Sequence, residues 1–450
     1  MDIYLNSQDQ ALAVSSTRYR VMSLMSVIYL LIFPLSSTVL HSVSGLVVVL
    51  AFFSSVSLYL FPFEVVQRIK HKDRVFYFSI VFVVIVAVLS TALSGIDHMA
   101  SKKLGKFVYL LMVIPVYYYF KTVRIKPEWI WYGLALGAII SALVGVYQIT
   151  NGIYYDPKYR GRAYGVTHPI IYGNLALLMG VMSLAGLSWF KSQGRWFTLL
   201  PVVAVICGLL ASILSQSRGG WVAIPFLAIV FLRFSSLHLS KLKILLSLVV
   251  VGSIFVAAYH VPQSGVKVRM DRTIDNMQKY FTVKEMKTAG GTSVTSRFEM
   301  WQASWSIFID NPLIGVGWGH YQENAKILVS KGERNKSISN WSHPHNQYFS
   351  AMVSGGVFAL LAIILLFFIP SRIFYNACRS PEKSDDTKAI ALAGLLLMVG
   401  FIIFNMSESL LERSRTVSFF IFYLALFMAG IRDPGDEVFN HNDDKKVIAH

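Results

Sequence analysis

Charge is what this chain has least of. Only 14% of its 450 residues are Asp, Glu, Lys or Arg, where a soluble domain averages about 25%. With 55% hydrophobic residues, too little polar surface remains to coat a water-soluble globule. Cysteine is scarce as well. Cys207 sits in an apolar run and Cys378 in a polar loop, and their different depths argue against a disulfide or a cysteine metal site. No Walker A sequence occurs, and Gly315-Val316-Gly317-Trp318-Gly319 has no surrounding βαβ unit, so neither ATP nor a dinucleotide is expected. No Asp-rich metal pair is visible, and the expectation is no metal and no cofactor. Asp2 and Asp9 precede the first apolar run and no small-residue cleavage site follows it, so no cleavable signal peptide is expected.

What is present is a series of apolar runs of about 20 residues, the length that spans a bilayer. Twelve are read: 21–40, 42–63, 75–95, 104–120, 129–150, 168–190, 196–215, 219–235, 241–260, 345–370, 388–406 and 414–432. In lipid only helices or closed barrels satisfy their backbone, and runs this long mean helices. The expected fold is therefore all-α, a polytopic membrane protein of about 12 transmembrane helices with one long periplasmic loop containing amphipathic helices. Its parts are 1–260 with helices one to nine, the loop 261–344, 345–432 with helices ten to twelve, and a cytoplasmic tail, 433–450. The run at 104–120 is the weakest, because it holds Lys106.

The net charge is +17, from 41 Lys and Arg against 24 Asp and Glu. In a membrane protein this favours anionic lipid headgroups and anionic substrates over nucleic acid. With the N-terminus in the cytoplasm, short cytoplasmic segments carry 21 Lys and Arg and short outer segments nine, as the positive-inside rule requires. Both termini are then cytoplasmic and 261–344 is periplasmic. The nine exceptions are Lys102, Lys103, Lys106, Lys158, Arg160, Arg162, Arg218, Arg413 and Arg415. An outer anionic ligand or phospholipid headgroups would account for them.

The long loop divides in two. Its first part ends in the flexible stretch Gly290-Gly291-Thr292-Ser293; its second opens with Ser296-Arg297-Phe298-Glu299, a capping-box pattern that starts a helix. Phe298, Trp301, Trp305 and Phe308 then form one aromatic stripe, ended by Asp310-Asn311-Pro312. The stripe suits either a helix in the headgroup plane or packing against the bundle.

Several outer residues carry usable chemistry. Arg218 opens the eighth run in Ser217-Arg218-Gly219-Gly220, a guanidinium beside a positive helix end that favours phosphate, with glycines that permit close approach. Arg297 lies in a first helical turn, where a cation is unfavourable unless an anion is bound. His345, in His343-Pro344-His345-Asn346, starts the tenth run; a helix N-terminus favours the neutral imidazole, which can act as a general base, and His343 is an alternative. Glu408, Glu412, Arg413 and Arg415 form a charged outer turn, in which Glu408 is either a second base or an orienter of an arginine. Arg162, Tyr164 and His168 stand at the start of the sixth run, where they can line a substrate path.

Taken together, these residues resemble the O-antigen ligase and polymerase superfamily of bacterial envelope glycosyltransferases. The likeness rests on Arg218-Gly219-Gly220, on Arg297-x3-Trp301 followed by Asp310-Asn311-Pro312-Leu313-Ile314-Gly315-Val316-Gly317, on His345-Asn346 with Gly356 after nine further residues, and on the plan of twelve spans with one long outer loop. Ala359 departs from the ligase pattern, which prefers Gly, Thr or Tyr there. The resemblance implies transfer of O-antigen from undecaprenyl diphosphate to the core sugar of lipid A at the periplasmic face of the inner membrane, inverting and without a metal. His345, Arg218 and Arg297 would be catalytic; Arg162, Tyr164, His168, His343, Asn346, Trp301, Glu408, Arg413 and Arg415 would bind substrate, the partners being the lipid-linked glycan, lipid A-core and the phospholipid membrane. An O-antigen polymerase or a protein O-oligosaccharyltransferase would share the donor site. A transporter of lipid-linked glycan would instead put charge at mid-membrane, and the runs have almost none.

Overall fold

The structure is a computed structural model that describes residues 17–41, 43–60, 71–123, 125–235, 266–282 and 294–431, with scattered positions between 249 and 261. The described residues form helices and no strand. In chain order they are α1 (Thr17–Thr38), α2 (Val43–Leu60), α3 (His71–Ser94), α4 (His98–Tyr109), α5 (Val113–Thr122), α6 (Pro127–Thr150), α7 (Pro169–Ser183), α8 (Leu187–Gln193), α9 (Leu199–Ser215) and α10 (Arg218–Phe234). After these come α11 (Val266–Thr282), α12 (Thr295–Asp310), α13 (Tyr321–Ser330), α14 (Gln347–Arg379), α15 (Asp385–Phe404) and α16 (Ser414–Gly430).

Eleven of the twelve apolar runs coincide with helices. The ninth, 241–260, lies largely outside the described residues, as do the Gly290–Ser293 stretch and the 433–450 tail. Six helical stretches among the described residues are long and apolar enough to cross a membrane, and α2, α9 and α16 are shorter apolar helices. The protein is an integral membrane protein. Its weakest run is not one helix. The 104–120 segment divides into α4, a 3-10 turn at Leu110–Met112, and α5. Pro115 explains the break, since proline has no N–H to give the carbonyl four residues back and its ring crowds that carbonyl.

α16 lies at the centre. Phe419, Phe420, Phe422, Leu424 and Phe427 along it are fully buried, and Phe422 stacks on Phe33 of α1 with ring centroids 3.9 Å apart. α7 and α15 are the other deeply buried helices. α7 packs on α9, and a side chain at Gly180 or Gly208 would strike the facing backbone carbonyl of Ala204 or Ala176. Such small-residue contacts let helices associate in lipid, where apolar side chains alone give no preference for protein. Large apolar residues such as Phe53, Leu89, Leu143, Ile206, Phe226 and Phe368 are exposed on the outside, as a lipid-facing surface requires.

α12 and α13 form a separate small core over one end of the bundle. Met300, Ala303 and Ile307 of α12 pack with Tyr321, Ala325, Leu328, Ile338 and Val353. The buried face of α12 is therefore its aliphatic one. Of the aromatic stripe, Trp301 stacks on Phe349 at 5.8 Å, whereas Trp305 is 52% exposed. The capping box does not form: Val294 precedes the helix with no side-chain cap. Glu299 is buried and accepts a hydrogen bond from the Asn335 N–H at 3.2 Å. A loop 36 residues away competes successfully for its carboxylate.

α14 is broken at Gly355 and Gly356, the latter at φ 62°, ψ −152°, a region that only glycine adopts without strain. The run Pro312–Gly317 fills the break. The N–H groups of Val316 and Gly317 donate to Val353 O and Ser354 O at 2.8 and 2.9 Å, and Val357 N–H donates to Pro312 O at 2.8 Å. Backbone groups freed within a membrane helix must find partners, and this loop provides them. Gly315 and Gly356 face each other's segments so closely that a Cβ on either would strike backbone. The two glycine-bearing motifs of the sequence are thus one structural joint, which ties α12 to the first half of α14. We expect Gly356→Ala to destabilise the protein by about 3 kcal/mol, from left-handed strain and the clash with Leu313 O; thermal unfolding in detergent that matched the native chain would contradict this joint.

Candidate active site

The joint leaves the start of α14 facing the turn between α15 and α16. Asn346 caps α14, its side-chain oxygen accepting from the N–H groups of Tyr348 and Phe349 at 2.9 and 3.2 Å. Its amide donates to Met406 O at 3.0 Å, and Gln347 N–H donates to Asn405 O at 2.8 Å. The N–H groups of Leu411 and Leu410 donate to the side-chain oxygens of Gln347 and Asn405, each at 3.0 Å. On the other side, Trp301 Nε1 donates to Pro344 O at 3.1 Å. His345 is held between them at φ 50°, a left-handed conformation uncommon for a residue with a side chain.

This backbone brings His345 onto Glu408. The carboxylate is buried, and its two oxygens lie 3.1 and 3.2 Å from His345 Nδ1. Arg413 donates from Nη2 at 3.2 Å, and His343 Nε2 stands 3.7 Å away. Burial alone would raise the pKa of Glu408; Arg413 and the two histidines outweigh it and hold the carboxyl well below its ordinary value. A carboxylate facing Nδ1 requires that nitrogen to carry the proton. The neutral ring then has its lone pair on Nε2, and His345 lines a cavity. The second carboxylate, Glu412, is likewise buried and depressed, with Lys103 at 2.9 Å and the Ser350 hydroxyl as partners. Lys106 donates to Glu412 O at 2.9 Å. Lys103 and Lys106, two of the nine exceptions to the charge rule, thus act inside the protein.

The cavity measures about 780 Å³. Its wall includes Lys158, Arg162, Arg218, Arg297 and Arg413, with His168, His345, Tyr155, Tyr159 and Trp341, against, among the described residues, the single acid Asp156. Arg162 is buried; its Nε donates to Ser215 O at the end of α9 at 2.8 Å, and its guanidinium lies over the Tyr159 ring. Arg218 donates to the Thr273 hydroxyl. Gly220, beside it, packs against Asn174 of α7, so that glycine serves helix contact rather than ligand approach. Ser217 gives its hydroxyl proton to Asn174 Oδ1 at 2.7 Å and makes no side-chain cap on α10, which leaves the first turn of that helix open to an anion. Arg297 is half-buried, and among the described residues its guanidinium makes no hydrogen bond or ion pair. Burial lowers its pKa, with Glu408 pulling the other way.

Of the residues singled out in the sequence, Arg162, His168, Arg218, Arg297, His345 and Arg413 share this cavity. His168 caps α7 through Nδ1 and meets the Tyr159 hydroxyl at 3.0 Å; burial, then Arg413, lower its pKa to about 4, so it is neutral near pH 7. The others stand behind the wall. Tyr164 packs its ring on Tyr155. Asn346 and Trp301 hold the His345 backbone, as described above. His343 accepts the His345 N–H on Nδ1 at 3.2 Å, and burial brings its pKa to about 3. Arg415 is turned away and donates to Ser36 O and Leu40 O at the end of α1. Lys158, Tyr155, Tyr159 and Trp341 went unread as site residues; the signal was the interleaved Tyr154-Tyr155-Asp156-Pro157-Lys158-Tyr159-Arg160, weighed only for its charge.

His343, His345 and Glu408 offer ligand atoms within 4.8 Å of one another, close enough for one divalent ion. The hydrogen bonds assign these atoms differently. His343 uses Nδ1 as an acceptor, so its Nε2 carries the proton and has no lone pair for a metal. Arg413 already neutralises Glu408.

Residues 203–364 match the family described as O-antigen ligase. The match covers 162 of the 450 residues, from within α9 to the second half of α14. It contains Arg218, Arg297 and His345, and members of the family are glycosyltransferases. The chain is also 26% identical over 376 residues to an uncharacterized protein of Haemophilus influenzae, covering 83% of this chain and 90% of that one. It is 20% identical over 237 residues to a ComP-specific O-oligosaccharyltransferase of Acinetobacter baylyi, covering 51% of this chain and 40% of that protein.

The buried carboxylates set the pH dependence of stability. The pKa values of Glu408 and Glu412 are depressed in the folded state. Their contribution is present above the unfolded value of about 4.3 and is lost as pH falls through the folded values. Arg413→Ala should cost about 2–3 kcal/mol at pH 7, because it leaves a buried charge short of its counterion. The deficit should shrink toward pH 4, where Glu408 in the variant takes up a proton. An equal loss at both pH values would show that Arg413 does not hold the Glu408 charge.

Proposed function

We propose that this protein is an O-antigen ligase, which transfers a glycan from undecaprenyl diphosphate to lipid A-core at the periplasmic face of the inner membrane, with both termini in the cytoplasm. The observation that carries this reading is Arg297, a half-buried guanidinium without a partner among the described residues, in a cavity walled by four other cations. Keeping a cation from water without a counterion is costly. Arg413 is paired with Glu408; a diphosphate would compensate Arg297 together with its neighbours, and Arg162, Arg218, Arg297 and the open first turn of α10 would hold it.

In the reaction, the acceptor hydroxyl attacks the anomeric carbon on the face opposite the leaving diphosphate, which inverts that centre. The bond from the anomeric carbon to the phosphate oxygen breaks, and the electron pair leaves with the diphosphate. Arginines already in place stabilise the charge as it grows, without reorganisation. His345 Nε2 takes the acceptor proton, and the imidazolium that results is stabilised by Glu408 through Nδ1–H. The electrostatic work on the leaving group belongs to guanidinium groups in this scheme, so no metal is required.

A second reading is favoured by the Acinetobacter relative, whose name is that of a ComP-specific O-oligosaccharyltransferase. A protein oligosaccharyltransferase, or a polymerase with a lipid-linked glycan as acceptor, would use the same donor chemistry and differ only where the acceptor binds.

Arg218→Ala and Arg297→Ala should each slow transfer at least about tenfold, since a lost electrostatic stabiliser costs roughly 2–4 kcal/mol, and lysine should restore only part of it. Transfer by the purified protein, from lipid-linked donor to lipid A-core, should persist in EDTA. Full activity in Arg297→Ala at normal protein levels would remove the diphosphate role. Loss in EDTA, restored by a divalent cation, would remove the arginine-only account.

A further inference from the structure

Among the described residues Trp341 is the one indole in the cavity wall, and the proposed chemistry makes no use of it. It is 38% exposed. Its ring lies 4.8 Å, centroid to centroid, from that of His345, at 76°. Among the described residues no cation sits over the indole, although Lys158 and Arg162 of the same wall both lie over Tyr159. The backbone around it is held on both sides: Trp341 N–H donates to Ile338 O at 3.2 Å, Ser342 O accepts from Lys103 at 2.6 Å, and Pro344 O accepts from Trp301. A rigid aromatic surface loses little conformational freedom on binding.

We propose that Trp341 is the stacking platform for the acceptor, and that the acceptor's reacting unit is a pyranose ring. The inference rests on His345 being the base. The reacting hydroxyl must come within hydrogen-bond reach of that imidazole, and Trp341 is the aromatic wall residue whose ring contacts it. A pyranose presents a face of C–H bonds that suits an aromatic surface, while its hydroxyls project sideways, so a sugar lying on Trp341 can direct one hydroxyl toward His345 Nε2. The arginines hold the diphosphate, which leaves the tryptophan surface to the other substrate. A serine or threonine of a peptide brings one hydroxyl and no ring face, and would gain little there. The platform therefore selects a saccharide acceptor over a protein one.

The test uses the full chain in detergent, titrated calorimetrically with core oligosaccharide released from lipid A, alongside steady-state transfer at varied acceptor. Trp341→Ala should weaken saccharide binding and raise the acceptor KM about tenfold, the order of a good aromatic contact, while the donor KM stays unmoved. Trp341→Phe should recover most of the binding. An unchanged acceptor KM in Trp341→Ala would overturn the platform, and so would displacement of the oligosaccharide from the native chain by a serine-bearing acceptor peptide. His345→Ala in the same assays separates the two ideas. An inactive variant that still binds saccharide upholds both, whereas normal transfer would remove the base and leave the binding result to decide the platform.

Discussion

Glu408 is buried and ionised at once, and this end of the molecule is arranged around that fact. A carboxylate removed from water is costly unless paired and hydrogen-bonded, and this one is supplied by Arg413, by His345 Nδ1 and by His343 nearby. Each partner is fixed in turn by the charge it serves. The carboxylate sets which nitrogen of His345 carries the proton, and so decides that the lone pair on Nε2 is available to a substrate. It also takes up Arg413, whose charge would otherwise compete with the other cavity arginines for the same anion. Glu412 repeats the pattern one turn on, with Lys103 and Ser350.

Holding that pair within hydrogen-bond distance is a backbone problem, and membrane physics supplies the solution. The break in α14 would leave two carbonyls and an N–H without partners in an apolar medium. The Pro312–Gly317 loop takes all three. Because the same loop ends α12, the helix that carries Arg297 is tied to the helix that His345 precedes. The arginine-bearing and histidine-bearing sides of the cavity thus rest on one joint, and a shift in either element would be felt by both.

The apolar runs were legible because bilayer thickness sets a length that any reader can count. At 104–120 the run is helical but passes through a 3-10 turn ahead of Pro115, a local change of backbone geometry that hydropathy does not register. The chemistry-bearing outer cations were visible as exceptions to a charge rule, but the rule carries no information on where they point. Arg162, Arg218 and Arg413 reach the cavity, whereas Lys103, Lys106 and Arg415 satisfy a carboxylate or carbonyls within the protein. The tie between Glu408 and His345 spans 63 residues, and nothing local predicts it. On α12 the aromatic stripe is one of two faces. Period identified the helix, while the smaller aliphatic residues on another face packed more closely and took the buried side.

The account depends on Glu408 holding His345 with its proton on Nδ1, and the most direct measurement is the transfer rate of Glu408→Gln. Glutamine keeps the size of the side chain and removes the charge, so the imidazole loses both its fixed tautomer and the partner for its positive form. With the fold intact by circular dichroism, the account predicts a fall of about 10²–10⁴-fold in the rate at saturating substrates, the scale seen when the carboxylate behind a catalytic histidine becomes an amide. A folded Glu408→Gln protein that transfers glycan within a factor of about three of the native rate would contradict it.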